Sequence, residues 1–407
     1  MDERQRRAYE VLVDTISAGG IDVAVVEERL RTQRVETPSW GYGNSGTRFA
    51  VFTQPGVPRD PFEKLQDAAE VQRHTGICPS VAIHIPWDRV DSFEELSQYG
   101  RSLGLAIGAV NPNLFQEQEY RLGSVTNPDP GVRRRATEHL LECVRIAEEV
   151  SSSILSLWFA DGTNYPGQDS FTERRHRMQE CLREVYATMP PGMRMLLEYK
   201  FYEPAFYHTD LFDWGAALLT CQKLGPQAQV LVDLGHHPLG TNVEHIVALL
   251  LDEERLGGFH FNNRKYGDDD LIVGSVNPFE LFLIYVELAR AEGRRERANE
   301  VAYMIDQSHN IEARIEAMIE SVMTLQETYA RALLVDWTAL ESARREGDVL
   351  GAHRVLTDAY AIDVRPLCAK VREDLGASPV PIAAFRSSGY LEKIVEARQG
   401  GVPAGWV

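Results

Sequence analysis

The apolar positions of this 407-residue chain fall into two alternating patterns. Short unbroken apolar runs recur at TRFAVF (47–52), SVAIHI (80–85), LAIGAV (105–110), SILSLW (153–158), MRMLLE (193–198), QVLVD (229–233), GGFHF (257–261) and VAYMID (301–306). Each is too short for a helix, and an unbroken run reads as a strand buried on both faces. Between most of them lie segments with a helical period. NVEHIVALLLDEERL sets Val243, Ile246, Val247, Leu250 and Leu251 on one face, and RATEHLLECVRIAEEV does the same with Leu140, Cys143, Val144 and Ala147. Eight strand–helix repeats predict an α/β fold, a parallel (β/α)8 TIM barrel. An open doubly wound sheet would carry a glycine-rich phosphate turn after an early strand. GYGNSG (41–46) precedes a strand and does not meet that description.

After Asp306 the pattern becomes helical and stays so to about Arg398. Ile311, Ile315, Met318, Ile319, Val322, Leu325 and Tyr329 form one long apolar stripe. The chain therefore divides into a catalytic barrel with an N-terminal helical segment (1–330) and a C-terminal helical extension (331–407), expected to pack on the barrel and to make oligomer contacts. RQGGVPAGWV reads as a loose tail.

With 44% hydrophobic and 25% charged residues the chain has ample material for a core. A formal net charge of −18 argues against a nucleic-acid partner, because backbone binding needs lysine and arginine. The five cysteines are scattered with no CxxC, which fits reduced thiols and no structural zinc. MDERQRRAYE has no apolar stretch of signal-peptide type, and no run approaches membrane-spanning length. A cytoplasmic protein with no membrane partner is expected.

In a parallel barrel, chemistry gathers at the C-terminal ends of the strands. Of four successive runs, three end in Glu198, Asp233 and Asp306, and the third in order carries His260 near its end. Each alone is as readily a turn or cap residue. Together they put like charges into one mouth, which is costly unless a cation offsets them. An oxygen-rich set with one histidine and no cysteine suits Mn²⁺, Mg²⁺ or Co²⁺. Two loops add His236 and His237 (DLGHH) and Asp268, Asp269 and Asp270 (KYGDDD). In an extended segment Asp268 and Asp270 would face one way and Asp269 another. With one of the histidines they would make a second metal site, although an acidic triplet alone is more simply a solvated turn. Lys200, two residues past Glu198, would face the same mouth and could stabilise a developing oxyanion or pair with one of the acids. His84 and Trp87 (HIPWD), Trp158 with Asp161 and Asn164 (WFADGTN), and Trp40 with Phe49 offer polar groups and flat apolar walls suited to a sugar. GxSxG, HExxH and P-loop motifs are all absent from the sequence.

HIPWD, WFADGTNYPGQ, EYKFYEPAFY, LVDLGHH, GGFHFNNRKYGDDDL and MIDQSHN, in that order, closely resemble the L-rhamnose isomerase family, in its branch that accepts many aldoses. The likeness runs from about Pro38 to Asn310 and less distinctly into AYAIDVRP and SSGYLEK. It implies a TIM barrel, two divalent metals per subunit (commonly Mn²⁺) and a homotetramer. It also implies that Glu198, Asp233, His260 and Asp306 hold a structural metal, and that His236, Asp268 and Asp270 hold a catalytic one. Lys200, His84, Trp87, Trp158 and Trp40 match substrate-pocket positions, Ser308 lies near the substrate, and Phe49 reaches a neighbouring subunit's site. Three places depart from the family: Tyr199 stands where histidine is frequent, Arg264 where a small residue is common, and GYGNSG differs from its counterpart.

The reaction expected is interconversion of L-rhamnose and L-rhamnulose by hydrogen transfer between C1 and C2, as a hydride or through an enediol. Lys200, Asp306, Asp268 and Ser308 are the catalytic candidates. Isomerisation or epimerisation of a different main sugar, metal-dependent phosphoester hydrolysis, and a non-catalytic sugar-binding barrel are the alternatives.

Overall fold

The computed structural model describes residues 1–47, 50–203, 208–292, 294, 300–309 and 311–399. Among them are β1 (Glu36–Pro38), β2 (Ser45–Thr47), β3 (Ala50–Phe52), β4 (Ser80–Ile85), β5 (Ala106–Pro112), β6 (Ile154–Trp158), β7 (Arg194–Glu198), β8 (Ala228–Asp233), β9 (Leu256–Phe261) and β10 (Ala302–Ile305). Eight of these close into a parallel barrel in the order β1-β10-β9-β8-β7-β6-β5-β4. The fold is the expected (β/α)8 barrel with a helical C-terminal region.

The first barrel strand is not the expected one. Residues 47 and 50–52 belong to the antiparallel pair β2–β3, and barrel strand one is the three-residue segment Glu-Thr-Pro. β1 pairs with β4 along its whole length and with β10 at Glu36↔Met304. Three residues ending in proline are too few to carry a periodic signature, whereas residues 50–52 satisfy their β-propensity by antiparallel pairing with 45–47.

Helices follow the strands with regular start signals. Asp60, Ser92, Asp129, Ser170, Asp213, Asn242 and Asn277 each accept a first-turn amide on the helix they precede. β8 and β9 are buried at every position. The barrel interior under the mouth is lined by Ala82, Ala109, Leu196, Leu231 and Met304. Space is tight there. A Cβ on Gly108 would fall 1.5 Å from the Glu36 carboxylate, and one on Gly257 would fall 2.4 Å from Leu196. Those two glycines are required by close approach within the barrel.

After the helix Arg314–Leu333 come Trp337–Glu346, Val349–Ala361, Arg365–Asp374, Pro381–Ser387 and Tyr390–Ala397. The extension is anchored to the barrel helix Pro61–Thr75 by a buried ion pair. Arg398 donates to both oxygens of Asp67 at 2.9 and 3.0 Å, and the Tyr390 hydroxyl donates to Asp67 at 2.8 Å. Among the described residues no helix is long and apolar enough to cross a membrane.

Candidate active site

Strand register sets the level of the site. Asp233 lies beside His260 on β8 and β9, Trp158 beside Glu198 on β6 and β7, and His84 beside Asn111 on β4 and β5. The C-terminal ends of the strands surround a cavity of about 120 Å³ lined by both metal-type and aromatic side chains. That volume suits a small polar molecule rather than a polymer.

Glu198, Asp233, His260 and Asp306 come together: one ligand-type atom from each lies within 4.8 Å of the others. His260 Nδ1 is 3.1 Å from Glu198, 3.4 Å from Asp306 and 4.0 Å from Asp233. Yet this buried nitrogen satisfies hydrogen-bond geometry to none of them. Donors aimed at one point without bonding to each other fit a divalent cation at that point. Asp233 is held from behind by the Gly235 amide at 2.6 Å and by Asn262 Nδ2 at 3.0 Å to both oxygens. Asp306 accepts Trp40 Nε1 at 2.7 Å.

The second group is adjacent. His236 Nε2 lies 2.8 Å from Asp268 Oδ1, and its Nδ1 faces the Tyr199 carbonyl at 3.1 Å and Glu198 at 3.1 Å. Asp268 and Asp270 line the cavity, but not by extended alternation. Both have a left-handed backbone, with φ of 57° and 47°. Asp269 turns back onto its own loop, where it accepts the amides of Lys265, Tyr266 and Gly267 at 2.6, 2.8 and 3.0 Å. The acidic triplet is therefore both things at once: two carboxylates in the cavity and one that builds the turn presenting them.

Lys200 is buried and donates to Asp268 at 2.6 Å and Glu203 at 3.0 Å, with its ammonium 5.0 Å from the centre of the Trp158 ring. Burial alone would lower its pKa, but these two carboxylates outweigh that and raise it, so the lysine is a fixed positive charge. Ser308 donates to Asp270 at 3.2 Å.

Charge is unbalanced in this space. Glu198, Asp233, Asp268, Asp270 and Asp306 face one lysine and two histidines. Burial lowers His260, but Glu198, Asp306 and Asp233 overcome it and lift the ring to about 9. His236 is raised well above its ordinary value, against its burial, by Asp233, Asp268 and Glu198. Burial, then the neighbouring carboxylates, raise Asp270 and Asp233. Five acids thus face three groups that can be positive, and the raised Asp233, Asp270 and Asp306 show the cost of crowding them, which a divalent cation would offset.

The facing wall is aromatic. His84 stacks on Trp87 at 3.9 Å and meets Trp40 edge-on at 5.5 Å, and Phe115 meets Trp158 at 4.8 Å. Burial depresses His84 to about 3, so its ring is neutral. The buried His84 Nδ1, Ser156 Oγ and Trp158 Nε1 have no hydrogen-bond partner among the described residues. Phe49 lies outside the described residues. Asp161 and Asn164 are not on this wall: Asp161 is buried under Ser124 and Thr126, and Asn164 accepts the His208 amide at 2.9 Å.

Asn111, Phe115 and Ser156 line the cavity without having been expected. Ser156 was findable, because it alternates with Trp158 on β6. Phe115 carries no sequence signal, being one aromatic in a loop.

The comparisons with known proteins agree with this architecture. Residues 67–296 match the family described as "Xylose isomerase-like TIM barrel". The chain is 44% identical over 397 residues to a "Probable sugar isomerase" of Rhizobium meliloti, covering 96% of this chain and 92% of that protein. It is 23% identical over 368 residues to the L-rhamnose isomerase of Bacteroides thetaiotaomicron, covering 82% and 84%. A solved L-ribulose 3-epimerase superposes with a TM-score of 0.54 at 13% identity, over 78% of this chain and 98% of that one, a likeness of fold alone. The nearer likeness is thus to a sugar isomerase without a stated sugar, and the likeness to an L-rhamnose isomerase is distant. By its barrel and by these matches, the chain belongs to the xylose isomerase-like TIM barrel family and is an enzyme of the sugar isomerase type.

Proposed function

We propose that this protein is a metal-dependent aldose–ketose isomerase that interconverts L-rhamnose and L-rhamnulose and accepts other aldoses. The observation that carries the reading is the cavity's division into two walls. One holds the carboxylate–histidine sets and Lys200, and the other holds Trp40, His84, Trp87, Phe115 and Trp158. A sugar has the matching two sides, hydroxyls and C–H faces.

On this reading Glu198, Asp233, His260 and Asp306 hold one divalent metal and His236, Asp268 and Asp270 a second, with Mn²⁺ the first candidate and Co²⁺ and Mg²⁺ the others. Such ions supply Lewis acidity to the sugar's O1 and O2. The chain's own groups do the rest. Lys200 places a fixed positive charge where an oxygen gains negative charge. On this reading a hydroxyl proton is shuttled near Asp306 or Asp268, and Ser308 donates to Asp270. The aromatic wall covers the C–H face and keeps water out. A hydride route needs no side-chain base at carbon, whereas an enediol route does. Incorporation of solvent hydrogen at C1 or C2 of the product separates them.

Phosphoester hydrolysis fits less well, because among the described residues Lys200 is the one lysine on the cavity wall and no arginine lines it. A homotetramer is part of the same proposal. What supports an assembly is that Leu122, Tyr165, Leu239, Tyr266 and Ile311, each on a segment that follows a barrel strand, are exposed. The deciding experiment is turnover of L-rhamnose by purified protein before and after EDTA, then with Mn²⁺, Co²⁺ or Mg²⁺ restored. The expected result is ketose that disappears with chelation and returns with metal. Activity indifferent to chelation would overturn the metal-dependent reading.

A further inference from the structure

Tyr199 follows β7 between two cavity residues, Glu198 and Lys200, and its side chain does not line the cavity. Its ring is 1% exposed. The hydroxyl lies 2.6 Å from His237 Nε2, and the two rings meet edge to face at 5.3 Å. His237 Nδ1 faces the Leu234 carbonyl at 3.5 Å. A carbonyl can only accept, so Nδ1 carries the hydrogen and Nε2 accepts from the tyrosine. The same Leu234 carbonyl also accepts Arg264 Nη1, and Arg264 is 4.0 Å from Glu280. Meanwhile the main-chain carbonyl of Tyr199 accepts from His236 Nδ1 at 3.1 Å.

One residue therefore grips both histidines of the pair. Its carbonyl, together with Glu198 at the same 3.1 Å, fixes the His236 ring with hydrogen on Nδ1, which turns Nε2 toward Asp268 as the nitrogen free to ligate. Its hydroxyl holds the next residue, His237, in the opposite direction. Rotation of the 234–237 loop that withdrew His236 from the cavity would have to break the buried Tyr199–His237 bond.

We propose that Tyr199 is a positioning residue that sets the orientation and tautomer of His236 through its carbonyl and through His237; this rests on the reading of His236 as a metal ligand. Arg264 braces the same loop from behind. The loop is thus anchored by two residues outside the cavity, both at positions where the chain departs from the family it resembles.

The test uses Co²⁺ uptake, followed by calorimetry and by the visible spectrum, on intact protein whose fold is checked by circular dichroism. Tyr199→Phe deletes one oxygen. It is expected to weaken Co²⁺ at one site by about 10- to 100-fold and to lower kcat while leaving the KM for sugar nearly unchanged, since Tyr199 lines no part of the cavity. His237→Gln keeps an acceptor for the tyrosine and should retain most of the affinity, whereas His237→Phe should lose it. The double variant Tyr199→Phe/His237→Phe should bind no more weakly than His237→Phe alone. Unchanged Co²⁺ affinity in Tyr199→Phe, or additive losses in the double variant, overturns the assignment while leaving the metal reading intact. Wild-type protein that takes up no Co²⁺ overturns the metal reading and the assignment with it. If Tyr199→Phe does not fold, the contrast between His237→Gln and His237→Phe decides.

Discussion

Trp40 Nε1 donates to Asp306 Oδ1 over 2.7 Å. The bond crosses the seam between β1 and β10, where the barrel closes, and joins the aromatic wall of the cavity to its carboxylate wall. It also occupies one oxygen of Asp306 and so orients the other, Oδ2, toward His260 at 3.4 Å. Replacing Trp40 with Phe keeps an aromatic wall and removes the donor. On the proposed function, kcat/KM should fall about tenfold together with metal affinity, as for loss of other groups that orient a ligand. Steady-state kinetics and metal titration on the same preparation check this, and a variant that loses turnover with unchanged metal affinity would show that the indole acts on the sugar alone.

Asp268 and Asp269 should respond differently to the same change. Asp268→Asn weakens contacts to His236 and Lys200 and should abolish measurable turnover. Asp269→Asn retains an oxygen for the loop amides and should stay near wild type. Asp269→Ala removes the acceptor of three amides and should lower both activity and metal affinity, because the turn presenting Asp268 and Asp270 loosens. Equal effects of the two asparagine variants on turnover would contradict the division of roles.

Metal uptake should release protons at pH 7. Without metal, the surrounding carboxylates lift His260 to about 9, so its ring is charged at pH 7, and they raise His236 in the same direction. Ligation needs the neutral rings. Affinity should therefore fall as pH falls, and the release from His260 should fade as pH rises through about 9. Calorimetry of Mn²⁺ binding in buffers of different ionisation enthalpy measures the count. Binding with no proton release would contradict the charged-histidine state.

The Arg398–Asp67 pair should matter to stability more than to catalysis. Both groups are buried, and Arg398→Met leaves the Asp67 carboxylate without its counter-ion. A loss of about 3 kcal/mol is expected, with partial recovery in Asp67→Asn/Arg398→Met, read by denaturant unfolding. A single variant as stable as wild type would mean that this ion pair does not help to hold the C-terminal helices.

What the chain's pattern determines by itself is local. Seven of the barrel strands were legible as unbroken apolar runs, because two-sided burial requires them. The acids and the histidine at the ends of β7 to β10 were legible because a parallel barrel brings all strand ends to one face. β1 was not legible, since three residues held by partners on both sides need no propensity of their own. The left-handed turns at Asp268 and Asp270, the Trp40–Asp306 bond and the grip of Tyr199 on His237 join residues far apart in the chain or depend on backbone angles. No local pattern encodes either. Only closure of the barrel, which sets which side chains meet and what desolvates them, decided those features and the charge states that follow from them.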